Sequence, residues 1–295
     1  MRLLGTQKRH KSEMEKKMEK RNLTLTTIVL SCIIIAMICS CSLITNDKDR
    51  FTLDKNDYIT MIDLDKTGPN VVVPEKIEDK NIRGLYLYDP YFSEIDSIDV
   101  SNASQLEYVS MDLFGGGKKS KIKKLDFSKN TKLRNVVINR TNALNRIIFN
   151  ERCETISLFN TSIKELDLKS LKKLKYFSYY RGPLEEINIS DNLSLEQVSI
   201  DNANVKIIDF RTLKKIKYIE CYGVPLKELD ISNNPNLEEV RIYNTNVRTL
   251  DISNNPKLKK IEVDEGTEII GETNAEIKYW TKEDIEKLEE LRKND

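Results

Sequence analysis

Residues 226–247 read LKELDISNNPNLEEVRIYNTNV, and the spacing of their aliphatic side chains determines the fold. Six aliphatic positions of this stretch recur at a step of 21 residues through residues 163–263, and in this copy they are Leu226, Leu229, Ile231, Leu237, Val240 and Ile242. A fixed period of this length is typical of solenoids, in which similar coils stack and bury their apolar positions against one another. The sequence therefore predicts an elongated stack of coils.

The repeat can be followed upstream, although its copies there differ in length. The position of Leu237 recurs at residues 82, 106, 133, 153, 174, 195, 216, 237 and 258, which predicts about nine coils. The residues after this position alternate between apolar and polar, as in a strand with one buried face. The opposite segment, 229–235, also alternates before Asn234-Pro235 ends it with a turn. We therefore expect a mostly β protein with short strands on both faces of the stack and few helices.

The segment Leu237-x-x-Val240-x-Ile242-x-x-Thr245-x-Val247 resembles the leucine-rich-repeat pattern L-x-x-L-x-L-x-x-N-x-L. The segment Leu229–Asn234 resembles the LDxSxN units of bacterial surface leucine-rich-repeat proteins and lipoproteins, and the internalins are more distantly similar. The resemblance covers roughly residues 82–263. It implies a right-handed leucine-rich-repeat solenoid that binds a ligand outside the cytoplasm. Because the usual Asn position is mostly occupied by other residues, we expect no regular Asn ladder there; those residues are Thr141, Thr161, Gly182, Ala203, Val224 and Thr245.

The amino end has the composition of a segment that enters a membrane. Residues 1–40 contain a basic flank followed by the start of an uncharged run, Leu23–Thr45, which is long enough to span a bilayer or to form a signal peptide. The run ends in Ile38-Cys39-Ser40-Cys41, which resembles a bacterial lipobox and implies that Cys41 is lipidated. A single-pass membrane anchor is the alternative. Both interpretations place the rest of the chain outside the cytoplasm, in the bacterial cell envelope.

The remaining chain divides into four predicted parts. They are a linker at residues 41–50, an amino-terminal cap at 51–81, the solenoid at 82–265 and a carboxy-terminal cap at 266–295. In the last part Thr281 is a suitable helix N-cap, and the apolar residues that follow recur at helical spacing. We expect a helix over Lys282–Lys293 that covers the last coil.

Several function classes find little support in the composition. The one histidine, His10, lies in the basic flank, so the exported body has no imidazole for acid–base catalysis or metal binding. Residues 41–295 carry 40 Lys/Arg and 44 Asp/Glu, a balance that does not favour nucleic acid. Gly115–Ser120 lacks the spacing of a phosphate-binding loop. We therefore expect no catalysis, no cofactor and no small-molecule substrate, and a carboxylate-based hydrolase remains a minor alternative.

Two further patterns have mainly structural interpretations. An acidic column, Asp126, Asp167, Asp209, Asp230 and Asp251, could bind Ca²⁺, although hydrogen bonds from nearby Ser and Asn residues explain it as well. Cys153 and Cys221 fall in core positions more than three coils apart, which predicts two buried, reduced thiols.

The candidate binding site is a group of aromatic and charged residues on the strands of the repeat. Period-two alternation puts them on the face opposite the core; they are Phe159, Tyr176, Tyr180, Asp201, Tyr218, Tyr222, Arg241 and Tyr243. Exposed aromatic clusters mark binding surfaces, so we expect an unidentified protein partner to dock here. One alternative is that the stacked aromatics only reinforce the sheet. Another is that the whole protein is a self-associating component of the cell envelope.

Overall fold

The structure is a computed structural model that describes residues 44–45, 50–88, 94–113 and 121–292. The predicted signal segment 1–40, the lipidation site Cys41, most of the linker and the Gly115–Ser120 segment lie outside the described residues. Within the described ranges the chain forms 23 strands and two helices. No helix in those ranges is long and apolar enough to cross a membrane.

The amino end builds a small cap on the first coil. Its elements are β1 (Ile44–Thr45), β2 (Phe51–Leu53), β3 (Tyr58–Ile62), α1 (Leu64–Thr67), β4 (Asn70–Val72), β5 (Lys76–Ile77) and β6 (Lys80–Asn81). Strands β1, β2 and β3 pair antiparallel, and β3 then pairs parallel with the first repeat strand. Buried Leu53 and Ile59 extend the apolar core into this cap.

One strand from each coil enters a long parallel sheet. These repeat strands are β7 (Gly84–Leu87), β9 (Tyr108–Asp112), β11 (Asn135–Asn139), β13 (Thr155–Phe159), β15 (Tyr176–Tyr180), β17 (Gln197–Asp201), β18 (Tyr218–Tyr222), β19 (Glu239–Tyr243) and β21 (Lys260–Asp264). After β13 each repeat strand starts 21 residues after the repeat strand before it. Equivalent residues face each other across the sheet, for example Val198, Ile219 and Val240, which are all fully buried. The predicted repeat register and the solenoid fold are confirmed.

The opposite face of the stack carries shorter strands, as predicted. They form two-stranded parallel pairs: β4 with β8 (Ser97–Asp99), β10 (Lys124–Asp126) with β12 (Arg146–Ile148), β14 (Glu165–Leu166) with β16 (Glu186–Ile187), and β20 (Thr249–Asp251) with β22 (Glu268–Ile270). In the acidic column, Asp126 and Asp251 end strands β10 and β20, and Asp167 follows β14 directly. Each side chain accepts a hydrogen bond from the backbone N–H two residues later, as from Ser232 to Asp230 at 3.0 Å. No metal-binding group of acidic, Cys or His side chains occurs in the described part of the chain.

Buried asparagines tie neighbouring coils together at the position where the sequence predicts only a turn. The Nδ2 of Asn234 donates to the carbonyls of Phe210 and Leu213, one coil earlier, at 2.9 Å each. Asn192 and Asn255 make the same pair of bonds to their preceding coils. These bonds satisfy carbonyl groups that have no access to water, so they stabilise the stacking.

A ladder of alternating charge runs along the edge where the chain enters each repeat strand. Its members are Arg83, Glu107, Arg134, Glu154, Lys175, Glu196, Lys217, Glu238 and Lys259. Five neighbouring pairs of this charge ladder form ion pairs, for example Lys175–Glu154 and Lys217–Glu196, both at 2.7 Å. Every coil from the first to the last therefore meets an opposite charge on the coil beside it.

The carboxy end differs from the prediction. Strand β23 (Glu276–Trp280) pairs parallel with β21, and it is this strand that follows the last coil. Helix α2 (Lys282–Arg292) then turns back onto the outward face of the long sheet, where Leu288 packs against Tyr222 and Tyr243. The expectation that the helix covers the last coil was wrong, because the outward aromatic side chains give Leu288 an apolar surface. The Thr281 N-cap is confirmed, since its Oγ1 accepts from Asp284 N at 3.1 Å.

The two predicted thiols are confirmed. Cys153 and Cys221 are free cysteines with no exposed surface. Burial raises the pKa of the Cys153 thiol to about 12, and burial also raises the pKa of Cys221. This environment disfavours the reactive thiolate form of both side chains.

Candidate interaction face

The outer face is the side of the long sheet that points away from the core. Because the strands are in register, the predicted residues form columns across it, and one column runs Phe159, Tyr180, Asp201, Tyr222 and Tyr243. Tyr176 and Tyr218 stand in a second column, separated by Gln197. Arg241 stands in a central column between these two, beside Glu220 and Glu262. All eight predicted residues therefore share one face.

Their exposure is unequal. Tyr176 is 43% exposed, and Phe159, Tyr180 and Tyr218 are partly exposed. Tyr222 and Tyr243 are 0% exposed, and Asp201 and Arg241 are also buried. The prediction of one continuous exposed aromatic patch was therefore wrong for Tyr222 and Tyr243. The physical reason is that helix α2 lies on them.

The apolar part of this contact is a corner made of three aromatic rings. Tyr243 stacks on Trp280 with ring centroids 4.6 Å apart and planes 8° apart, and Tyr222 is tilted against Tyr243 at 5.0 Å. Leu288 of helix α2 fills the corner, and Ile285 packs beside it. Burying a leucine side chain in such a corner contributes about 1.5–3 kcal/mol.

The charged part of the contact lies at the carboxy end of the helix. The Nη1 of Arg292 donates to Asp201 Oδ2 at 2.8 Å, and the guanidinium also lies over the Tyr222 ring, 4.2 Å from its centroid. Arg181 donates to the backbone carbonyl of Arg292 at 3.1 Å. Burial raises the pKa of Asp201, and the Arg292 charge opposes that shift. A buried carboxylate of this kind depends on its cationic partner.

A third contact fixes the rotation of the helix about its own axis. Glu289 accepts hydrogen bonds from the Tyr222 hydroxyl at 3.3 Å and from Asn244 Nδ2 at 3.2 Å. Leu288, Glu289 and Arg292 therefore contact the sheet together. We call the surface that receives them the helix seat; it consists of Asp201, Tyr222, Tyr243, Asn244 and Trp280.

A buried charged network lies in the central column next to the helix seat. Arg241 forms ion pairs with Glu239 and with Glu262, and its guanidinium lies 5.4 Å from the Tyr218 ring centroid. Glu262 also accepts from the Trp280 indole N–H at 2.9 Å. The charge of Arg241 is thus satisfied within the protein, and its contacts hold Trp280 in place.

Beyond Arg292, no described element covers the outer face. We call this region the open patch; it consists of Phe159, Tyr176, Tyr180 and Arg181. The Phe159 and Tyr180 rings are 6.4 Å apart, and the Arg181 guanidinium lies 5.5 Å from the Phe159 centroid. Burial raises the pKa of the Tyr180 hydroxyl, so this group stays protonated inside the protein. The patch can offer aromatic rings and a cationic group to a ligand.

Arg181 has an unusual backbone conformation. Its φ is +53°, and the equivalent residues in the next three coils are Asn202, Gly223 and Asn244, which also have positive φ. Asn and Gly tolerate this left-handed region, whereas a long side chain such as Arg is disfavoured there. The conformation aims the Arg181 side chain over Phe159 and toward the end of helix α2.

Arg181, Trp280 and Arg292 belong to this face but were not predicted from the sequence. The sequence also contains a longer period, which relates the tyrosines of this face. Residues 167–208 resemble residues 209–250, a step of two coils. This step aligns Tyr176-Phe-Ser-Tyr-Tyr180 with Tyr218-Ile-Glu-Cys-Tyr222. The two tyrosine pairs are equivalent by this period. In the structure the helix covers Tyr222 of the second pair, while the first pair remains open.

Comparison with known proteins identifies the fold. No family model matches the chain, and no curated protein matches it. Among solved structures, the functional domain of InlJ from Listeria monocytogenes is similar with a TM-score of 0.50 and 18% identity, over 73% of this chain and 53% of that one. The match thus spans about half the length of that chain. Internalin C2 from the same organism matches with a TM-score of 0.44 and 16% identity, over 70% of this chain and 80% of its own.

A leucine-rich-repeat protein of Leptospira interrogans also matches, with a TM-score of 0.41 and 11% identity, over 69% of this chain and 71% of its own. At these identities the similarity concerns the fold. Together with the 21-residue coils, the in-register parallel sheet and the buried asparagines, the similarity to InlJ shows that the chain has the leucine-rich-repeat fold.

Proposed function

We propose that the chain is a non-catalytic, protein-binding module, held at the outer side of a bacterial membrane and binding its partner through the open patch. The observation that carries this proposal is the position of Tyr176, Phe159 and Tyr180 on the outer face, beyond the end of the helix, where no other described element covers them. Large aromatic side chains with an arginine beside them supply most of the binding energy in protein interfaces.

The proposed location rests on the amino end of the sequence. The basic flank, the uncharged run and Cys41 support export followed by lipid anchoring, with a single-pass anchor as the alternative. The intact mass of the detergent-extracted protein distinguishes the two. A lipidated chain starts at Cys41 and carries added acyl mass. An unprocessed chain has the mass of the full sequence, and Cys41→Ser changes that mass only by the difference between the two side chains.

The binding proposal is tested by capture of proteins that crosslink to the patch. A photo-crosslinking residue at position 176 should form a specific adduct, and the double variant Phe159→Ser with Tyr180→Ser should abolish it at an unchanged melting temperature. The matched control is Ile207→Ser, since Ile207 is 74% exposed on the opposite face of the stack and should have no effect on the adduct. Loss of stability without loss of the adduct would instead mean that the aromatics only reinforce the sheet.

Self-association is a second candidate function, favoured by a separate observation. Ile277 and Tyr279 occupy inward positions of β23, opposite Ile261 and Val263, yet they are 37% and 47% exposed because no further coil follows them in the described residues. An exposed strand edge with apolar side chains can pair with another chain. Size-exclusion chromatography over a hundredfold concentration range tests this. A mass that doubles, and that Tyr279→Lys returns to the monomer value, would support it.

A further inference from the structure

The contacts of helix α2 have the character of a recognition site. Three adjacent groups on one side of the helix meet three chemically different features of the sheet. Leu288 enters the aromatic corner, Glu289 meets two hydrogen-bond donors, and Arg292 meets the Asp201 carboxylate. This spacing, Leu-Glu-x-x-Arg, is short and specific, and each element of it has a dedicated partner.

The apolar part of these contacts is small. Leu288 is the one buried residue among the eleven of the helix, Ile285 is partly buried, and Leu291 is 47% exposed. A helix of this length is marginal in water without tertiary contacts. It is joined to the sheet through Thr281 alone, directly after β23, so it can leave the seat without disturbing a repeat strand.

We propose that the helix seat is an exchangeable recognition site for an amphipathic helix of a partner protein, and that the chain's own helix α2 is its resident occupant. This inference rests on the proposed function and extends it, because it names a helix as the element that the outer face recognises. The partner helix carries an apolar residue at position i, a carboxylate at i+1 and an arginine at i+4, in the arrangement of Leu288, Glu289 and Arg292.

The geometry also gives the length of the partner helix. Strands lie ~4.8 Å apart, so the four steps from Trp280 to Asp201 span about 19 Å. An eleven-residue helix is about 16 Å long. Two further strand steps lead from Asp201 to Phe159, and these need about six more residues at ~1.5 Å each. A partner helix of about 17 residues would therefore fill the helix seat and the open patch in one line.

The experiment uses a fluorescent synthetic peptide with the sequence of residues 281–295, titrated into the full-length chain. In the wild-type chain the resident helix competes with the peptide at a local concentration in the millimolar range. The peptide should therefore bind the wild-type chain at least tenfold more weakly than it binds a chain whose helix is released. Leu288→Asp in the full-length chain releases the helix and leaves the seat intact. That variant should bind the peptide saturably, and adding Asp201→Asn should weaken the binding about tenfold.

Two controls make the outcome decisive. Leu291→Asp changes an exposed residue of the same helix and should leave peptide binding as weak as in the wild-type chain. A peptide with Arg292→Ala should lose about as much affinity for the Leu288→Asp chain as Asp201→Asn removes. If the Leu288→Asp chain melts cooperatively but does not bind the peptide, or if Asp201→Asn has no effect, the proposal is wrong. Phe159→Ser should leave peptide binding unchanged. The peptide titration therefore tests the helix seat alone, and the crosslinking experiment tests the open patch.

Discussion

Asp201 and Arg292 form an ion pair at 2.8 Å although 91 residues separate them in the sequence. The pair joins a repeat strand in the middle of the sheet to the last turn of the carboxy-terminal helix. Both side chains are largely shielded from water. Removing the positive partner therefore leaves a desolvated negative charge, a change that costs more than the intact pair contributes.

We expect Arg292→Ala to lower the free energy of unfolding by about 2–4 kcal/mol, because Asp201 would remain buried without its partner. Chemical denaturation at neutral pH measures the change. The double variant Asp201→Asn with Arg292→Ala should recover part of the loss, since the uncompensated charge is gone. Arg248→Ala, at an exposed position, is the control and should shift the free energy by less than about 0.5 kcal/mol. Equal effects of the two arginine substitutions would contradict the assignment.

The acidic column predicts a dependence of stability on pH. Hydrogen bonds from the side chain and backbone two residues later lower the pKa of Asp209, Asp230 and Asp251 below the ordinary value of 3.8. A carboxyl whose pKa is lowered by folding stabilises the protein above its unfolded pKa. That stability is lost as the pH falls through the lowered value. The melting temperature should therefore decrease steeply below about pH 4.

The chain provides its own control for this pH effect. Asn188 occupies the same position in another coil and accepts the same backbone hydrogen bond, from Ser190 at 3.1 Å. The triple variant Asp209→Asn, Asp230→Asn, Asp251→Asn should keep these bonds. Its melting temperature should decrease less below about pH 4 than that of the wild-type protein. If the melting temperature of the triple variant decreases at acid pH as much as that of the wild-type protein, other carboxylates cause the acid sensitivity.

We expect neither cysteine to react with iodoacetamide in the folded protein. Burial raises the pKa of both thiols, so the reactive thiolate is scarce at neutral pH and the sulfur atoms are shielded from the reagent. Mass spectrometry should find no label at Cys153 or Cys221 after an hour at pH 8, and full labelling of both after unfolding in guanidinium. Rapid labelling of native Cys221 would mean that the middle coils open.

The repeat register predicts which substitutions unfold the solenoid. Leu229→Asp or Ile231→Asp places an unpaired charge between coils and should cost more than about 3 kcal/mol. Glu238→Ser removes only a member of the charge ladder at the surface and should cost less than about 0.5 kcal/mol. Thermal melts of the three variants compare the two classes directly. Similar melting temperatures for both classes would refute the register.

The core could be predicted from the sequence because its information is local and repeated. Ile219 and Val240 are buried for the same reason as their equivalents in every other coil, so the 21-residue period identifies them without knowledge of the rest of the chain. Asn234 shows the limit of this approach. Its place before a proline suggests a turn, and the sequence does not reveal that its amide reaches the carbonyls of the previous coil.

The burial of Tyr222 and Tyr243 could not be predicted in the same way. Period-two alternation places these side chains on the outer face correctly, but their cover comes from Leu288, a residue outside the repeat. The spacing of Ile285, Leu288 and Leu291 shows that a helix has an apolar side. It does not show which of two apolar surfaces, the end of the stack or the aromatic corner, that side will contact.

The charge ladder has a consequence for how such a chain can lengthen during evolution. Its signs alternate from Arg83 to Lys259, so coils come in two electrostatic kinds, and each coil has the other kind as its neighbour. Duplicating a single coil would set two like charges side by side, whereas duplicating a pair preserves every contact. Duplication of a pair of coils would produce the resemblance of residues 167–208 to residues 209–250. A unit of two coils, 42 residues long, therefore carries both signs of the charge ladder.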